Sequence, residues 1–371
     1  MNVLFHTNIP SPYRVEFFNE LGKKCELTVT FEGKTATDRN KNWKGDAAKN
    51  YKEIYLKGKR ISSDSFFCPG IIGVLKKRWD KVIIGVYSSP TSILAIEYMR
   101  LRKQQFYIEA DGGMIQQDGI LKFILKNHFI SSASGWLSSG MKTTEYLVHY
   151  GADEDRCWLY PFTSLTRSDL VCADQMRRSD KKLYKEAIGV REDKMILSVG
   201  SFTHDKKYGI RKGFHALMRA AEKISRDIGI YIVGDEPTEE FLEWKEKKDL
   251  RHVHFIGFKT KDALKMYYAA ADLFVLMTRY DIWGLVINEA MSFGLPVITT
   301  DKCVAGLELV KENENGHIVP AEDDKLLVEK IVCMINNKEM LRRFGEMSYE
   351  IIQKYSIENM TEEHVKILSS C

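Results

Sequence analysis

The sequence predicts an α/β protein of two domains, each a parallel sheet flanked by helices. Three observations carry that prediction. The chain has 371 residues, more than the roughly 250–300 that a single core usually holds. Short apolar runs alternate with helical patterns, the signature of βαβ units, and this alternation starts twice. The composition is also that of a packed globule: 44% apolar and 29% charged, with 25 Gly and only 8 Pro. That excludes collagen-like, low-complexity and wholly disordered chains. The longest apolar runs, at 71–75 and 273–277, fall far short of the roughly 18 residues of a membrane span. The N-terminal MNVLFH has neither the basic start nor the apolar stretch of a leader. Soluble, cytoplasmic domains are the expectation.

Each element follows from a local pattern. Residues 2–6 read as a strand, a Pro/Ser loop follows, and Val15, Phe17, Phe18 and Leu21 share one side of a helix. Residues 27–31, 82–86 and 106–109 are further strands, with helices over 91–103 and 120–129. The pattern restarts with a strand at 194–199 ending in Gly200 and a helix at 212–223. A strand at 230–233, a Glu- and Lys-rich helix to about 248, and apolar runs at 253–256, 273–277 and 296–299 complete the second sheet. The polar run RRSDKK at 177–182 is the linker candidate, and a last helix covers about 357–368. The expected division is therefore 1–180, 181–350 and 351–371, the last a C-terminal helix packing back on the first domain. The simplest arrangement is two Rossmann-like domains facing each other across a cleft at the carboxyl ends of their strands, where open α/β sheets bind ligands. Neither first strand is followed by GxGxxG, so a dinucleotide oxidoreductase is unsupported.

Seven cysteines with no CxxC spacing read as reduced, packed thiols and argue against structural zinc. The net charge of +4 conceals a gradient, since residues 34–103 hold 16 Lys and Arg against 6 Asp and Glu. A basic segment suits an anionic partner or is a solvated lysine-rich surface.

The most informative stretch is DIWGLVINEAMSFGLPVI at 281–298, which reads as loop, helix, turn and strand. A helix starting near Gly284 presents the free amides of Gly284, Leu285 and Val286 to an anion, aided by the helix dipole. Asp281 precedes that helix and Glu289 lies about one and a half turns inside it, both able to accept from sugar hydroxyls. A second stretch, ILSVGSF at 196–202 followed by RKGF at 211–214, sets Arg211 and Lys212 beside a strand-end glycine. Such a cation pair neutralises a pyrophosphate.

GLVINEAMSFGLPVI resembles, almost residue for residue, the signature of retaining glycosyltransferase family 4, the glycosyl transferases group 1. The resemblance implies the GT-B fold, a nucleotide-sugar donor (UDP- or GDP-sugar) as substrate, and neither a cofactor nor a metal. Glu289 matches the glutamate that binds ribose in the family, and Asp281 stands where the family has a first glutamate contacting the donor sugar. Lys212 matches the phosphate-binding lysine, while Ser201 after Gly200 replaces a frequent arginine. HFIGF at 254–258, with Gly257 and Phe258, corresponds to the loop over the nucleobase, and NENGHIVP at 313–320 to a turn–strand signature. IPSPYRVEFF at 9–18 resembles polysaccharide-assembly members, and places Ser11, Pro12, Tyr13 and Arg14 where an acceptor binds.

Many relatives present a histidine after a first-domain strand. The corresponding FYIEADGG at 106–113 has none, and one of Glu109 and Asp111 is the expected replacement, as a hydroxyl ligand or a stabiliser of oxocarbenium-like charge. Asp153-Glu154-Asp155 spells a DxD, but in a polar turn rather than at a strand end, so a solvated turn is expected there. His6 either lines the cleft or packs in the core. The expectation is a retaining, metal-independent glycosyltransferase with a lipid-linked saccharide acceptor and no nucleic-acid partner. The mixture of Lys59, Arg60, Phe66, Phe67, Ile71, Ile72, Lys76, Lys77 and Arg78 suits docking on an anionic membrane. The alternatives are a nucleotide-sugar epimerase of the same fold and a non-catalytic basic binding module.

Overall fold

The first strand, β1 (Asn2–Thr7), is apolar on both faces, and Val3, Leu4 and Phe5 are fully buried. A strand of that kind belongs in the middle of a parallel sheet covered by helices. The computed structural model describes residues 1–36, 49–205 and 207–370, so Cys371 and residues 37–48 of the basic segment lie outside it. The chain divides into unit 1, Met1–Thr163 with Tyr355–Cys371, and unit 2, Ser164–Lys354. The division thus falls ahead of the 177–182 run, which lies across the end of one helix of unit 2 and the start of the next.

In unit 1, β1 leads into α1 (Pro12–Leu21), whose proline at the first turn needs no amide partner there. Then come β2 (Glu26–Phe31), β3 (Lys52–Tyr55), a hairpin of β4 (Lys59–Arg60) and β5 (Phe66–Phe67), and α2 (Ile71–Leu75). They are followed by β6 (Lys81–Ile84), α3 (Pro90–Leu101), β7 (Tyr107–Ala110), α4 (Ile120–Ile130), β8 (Gly135–Ser138), α5 (Met141–His149) and β9 (Cys157–Leu159). The seven-stranded sheet runs β3-β2-β1-β6-β7-β8-β9, and its pairs are parallel. Phe5 stands opposite Val29 on one side and Ile83 on the other. The edge strand β3 escapes sequence reading because its residues are only exposed or half-buried and show no apolar alternation.

Unit 2 opens with α6 (Arg167–Arg177) and α7 (Lys181–Ala187). Its first strand is β10 (Lys194–Val199), followed by a hairpin of β11 (His204–Asp205) and β12 (Gly209–Ile210) and by α8 (Phe214–Ala221). Next are β13 (Ile228–Val233), α9 (Glu239–Lys247), β14 (Val253–Ile256), α10 (Lys261–Ala270) and β15 (Leu273–Leu276). The unit closes with α11 (Leu285–Ser292), β16 (Val297–Thr300), α12 (Val304–Leu309), β17 (Gly316–Val319), α13 (Asp324–Ile335) and α14 (Lys338–Ile352). Its parallel sheet runs β14-β13-β10-β15-β16-β17. The core under this sheet is built from Ile196, Phe214, Leu217, Ile230, Val275, Ile298 and Ile331.

The last helix, α15 (Ile357–Ser370), belongs to unit 1 and packs on α1, with the His364 ring 4.7 Å from that of Phe17. Among the described residues no helix is long and apolar enough to cross a membrane. The described cysteines are free thiols.

Candidate functional site

The order of the unit 2 sheet selects one place for a ligand. β10 lies between β13 and β15, so the chain leaves β10 toward one side and β15 toward the other. Ligands of doubly wound sheets sit at such a switch point, outside the carboxyl ends of the strands. The loop after β10 carries Gly200 and Ser201, and the loop after β15 carries Asp281 and Gly284. The structure therefore brings together the two stretches that the sequence singled out.

The two stretches are interlocked through one backbone carbonyl. The Thr278 hydroxyl and the Arg279 amide donate to the Arg211 carbonyl at 2.9 and 2.8 Å. Gly213 is left-handed (φ 68°), and a Cβ there would meet the Met277 carbonyl oxygen at 1.6 Å, so only glycine allows this approach. Lys212 reaches across and donates to the Asp281 carboxylate at 2.5 Å. Its stem lies over Gly200, where a Cβ would stand 2.7 Å from Lys212 Cγ. Burial raises the Asp281 pKa, but Lys212 and then Arg211 outweigh it and hold the carboxyl below its ordinary range. Asp281, expected at the donor sugar, is thus engaged with the lysine. The half-buried Arg211 guanidinium has no hydrogen bond or ion pair to another described residue.

Gly284 caps α11 in a left-handed conformation (φ 106°), and a Cβ there would meet Cys303 Sγ at 2.8 Å. Its lack of a side chain therefore serves backbone shape and packing as well as access. The Leu285 and Val286 amides, in the first turn of α11, have no intrahelical acceptor. Further along the helix, the Glu289 carboxylate accepts from Ser164 Oγ at 3.0 Å and from the Tyr268 hydroxyl at 2.9 Å. Burial pushes its pKa up, against the opposing effect of those two donors. Ser164 and Tyr268 carry no local signal: they lie 125 and 21 residues from Glu289 and meet it only in the fold. Ser201 donates to the Asp235 carboxylate. Gly257 and Phe258 follow β14, two strands from β10, and a Cβ on Gly257 would stand 3.2 Å from Glu236 Oε1.

In unit 1 the structure revises the expectations for Arg14 and Glu109. Arg14 is 2% exposed and ion-pairs with both Glu109 and Asp111, so its guanidinium is not an open ligand for a sugar or phosphate. Glu109 is 1% exposed and also accepts from His364 Nε2 of α15 at 2.9 Å and from the Tyr160 hydroxyl at 3.4 Å. Burial opposes its charge, yet Arg14 and His364 hold its pKa well below the ordinary range. Asp111 keeps an exposed edge and accepts from the Tyr13 and Tyr160 hydroxyls, each at 3.2 Å. Burial, with Glu109 adding to it, raises its pKa despite Arg14. Ser11 is buried at the N-cap of α1 without a side-chain cap bond, and Pro12 begins the helix. His6 is a packed core histidine, with Nδ1 at 2.9 Å from Thr30 Oγ1 and Nε2 at 3.2 Å from Glu32. Asp153 caps a single turn, accepting from the Asp155 amide at 3.2 Å.

The surface expected between residues 59 and 78 is also corrected. Phe66 and Ile71 lie in the core and Ile72 packs against it, so of the four apolar groups only Phe67 stands out in solvent.

Residues 180–351 match the family model of glycosyl transferases group 1. An uncharacterized glycosyltransferase of Methanocaldococcus jannaschii is 32% identical over 197 residues, 51% of this chain and 48% of that protein. The lipopolysaccharide core biosynthesis glycosyltransferase LpsE of Rhizobium meliloti is 26% identical over 180 residues, 47% of this chain and 50% of the relative. The chain thus spans about half the length of such relatives. The crystal structure of HepE from Anabaena in complex with UDP matches with a TM-score of 0.76 at 16% identity, over 100% of both chains. That likeness establishes the fold class: GT-B, with two Rossmann-like domains.

Proposed function

We propose that this protein is a glycosyltransferase that moves a sugar from a nucleotide-sugar donor to a saccharide acceptor with retention at the anomeric carbon. The observation that carries the reading is the Lys212–Asp281 pair with Arg211 beside it, held at the unit 2 switch point next to the N-terminus of α11. Unit 2 binds the donor. Glu289 takes the ribose hydroxyls, the amides of Gly284, Leu285 and Val286 take the pyrophosphate, Gly200 and Ser201 border it, and Gly257 with Phe258 covers the nucleobase. Lys212 and Arg211 stabilise the charge that builds on the departing diphosphate, the work a metal does elsewhere. Asp281 orients Lys212 and meets the donor sugar.

Unit 1 receives the acceptor at Ser11, Pro12 and Tyr13, with Asp111 as the carboxylate that meets sugar hydroxyls. Arg14 and Glu109 position it from below. Relatives named for lipopolysaccharide synthesis support a lipid-linked acceptor at the inner face of the cytoplasmic membrane, within polysaccharide or glycolipid assembly.

A panel of UDP- and GDP-sugars, read first by thermal shift and then by acceptor-dependent nucleoside diphosphate release, tests the reading. Lys212→Ala should lower turnover by roughly a hundredfold or more, far more than it lowers stability, with a modest fall in melting temperature because the buried Asp281 loses its partner. Turnover should also survive EDTA. Normal turnover of the variant overturns the role of Lys212, and loss in EDTA overturns metal independence. Conversion of the donor without any acceptor points instead to an epimerase.

A further inference from the structure

α4 turns its aliphatic side outward. Ile120, Leu121, Ile124 and Leu125 are 82, 72, 55 and 47% exposed, whereas Ile130 alone in this helix is fully buried. At 100° per residue these four fall within an arc of about 140°. The opposite side of the helix carries Phe123, packed with its ring 5.5 Å from that of Tyr150. The outward orientation is therefore held by the core and is not a frayed end.

Cations gather at the C-terminal end of this face, whereas Lys122 and Lys126 lie toward the far side of the helix, both paired with Asp118, at 2.8 and 2.7 Å. At the C-terminal end of the helix, Arg100 of α3 lies 3.1 Å from His128 Nε2, with Glu97 paired to both. The chain beyond Arg100 continues with Leu101, 83% exposed, and the exposed Arg102 and Lys103. A cavity of about 360 Å³ opens there, lined by Arg100, Lys103, Gln105, Ser132 and Ser134 among others, with cationic and hydroxyl groups that suit a phosphate.

Three occupants are conceivable for such a surface, and its chemistry selects one. A protein partner is normally anchored by Trp, Tyr or Arg, and the outward arc carries branched aliphatics ending at His128, with neither Trp nor Tyr. A second copy of the chain would bring like cations toward one another across a self-complementary face. An anionic bilayer satisfies both halves: aliphatics enter the headgroup–acyl boundary while lysine and arginine meet the phosphates. We propose that the outer face of α4, together with the cationic end of α3, docks unit 1 on an anionic lipid bilayer. The inference rests on the lipid-linked acceptor reading for its purpose, and it relocates the membrane surface from residues 59–78 to 100–126.

Flotation with vesicles of phosphatidylcholine alone or with phosphatidylglycerol added tests it on the full chain. The wild type should float with the anionic vesicles at low salt and far less in about 0.5 M NaCl. Leu121→Glu with Ile124→Glu should weaken flotation about tenfold or more, as should Arg102→Glu with Lys103→Glu, with circular dichroism and melting temperature unchanged. Wild-type protein that ignores anionic vesicles overturns the proposal, as does a Leu121/Ile124 variant that floats normally. So does a wild-type dimer that this variant converts to monomer, because the face is then a subunit interface. Diphosphate release with a soluble acceptor should be unchanged in the Leu121/Ile124 variant. If no nucleotide sugar is turned over by any form and flotation still depends on α4, the docking face stands and the enzymatic reading falls.

Discussion

Arg14 shows how one side chain can carry two carboxylates. Its guanidinium is buried between Glu109 and Asp111, and without it two like charges would share a site out of water. The two carboxylates part under that strain: Glu109, which also has His364, is held low, and Asp111, with fewer charged partners, is pushed up. Arg14→Ala should cost about 3–5 kcal/mol, because a buried charge loses its counter-ion. Chemical denaturation would read this as a large fall in midpoint, and Arg14→Lys should recover only part of it, since a single ammonium does not span both partners. A variant as stable as the wild type would show that Arg14 is a surface group after all. Lys212 stands in a different setting. It is half-buried and paired with one carboxylate beside Arg211, so its charge faces a site rather than filling a core.

At the scale of the element, α6 illustrates a helix start that both the local chain and a distant helix stabilise. Thr166 and Asp169 form a reciprocal capping box, each side chain serving the other's backbone amide. Lys261 and Lys265 of α10 then pair with the Asp169 carboxylate at 2.7 and 3.1 Å. Burial alone would raise the Asp169 pKa; Lys261 and the Thr166 bonds bring it to about 2, from an ordinary 3.8. A lowered carboxylate contributes stability that is complete above the unfolded value and is lost as pH falls through the folded one. The contribution should therefore vanish between about pH 4 and pH 2. Asp169→Asn should lower stability at neutral pH by about 1–2 kcal/mol, a figure limited by the partial exposure of Lys261. It should also flatten the acid limb of the melting-temperature profile. An unchanged acid limb would remove Asp169 from the account.

At the scale of the whole molecule, unit 1 is discontinuous in sequence. Its last helix returns Ile357, Met360, Ile367 and Leu368 to the core and His364 to Glu109. Four buried aliphatic side chains are worth roughly 6–12 kcal/mol, as much as the net stability of a domain. Residues 1–163 alone should therefore lack a cooperative thermal transition, whereas 164–354 alone should show one, because its core is complete within the segment. Linking 355–371 to the first fragment should restore the transition. Scanning calorimetry of the three fragments decides the matter, and a cooperative 1–163 would make α15 an accessory.

Much of this was legible in the sequence. The strand at 194–199 and the helix entered through Gly284 are local matters, since backbone conformation follows from residue type, spacing and glycine position. The Lys212 and Glu289 positions were legible for the same reason, being anchored to those local elements. The environment of a side chain is another matter, because its neighbours arrive from far along the chain. Arg14 lies 95 residues from Glu109, and Glu109 lies 255 from His364. No local pattern told that Arg14 would be enclosed rather than open to an acceptor. The sequence likewise marked a helix at 120–129 and the apolar groups Phe66, Phe67, Ile71 and Ile72, but not which of their side chains face water. The sequence by itself determined the elements and the two stretches at 196–214 and 281–298 that meet at the unit 2 switch point; only the tertiary structure, by bringing distant charges and faces together, decided which groups are buried and which are exposed.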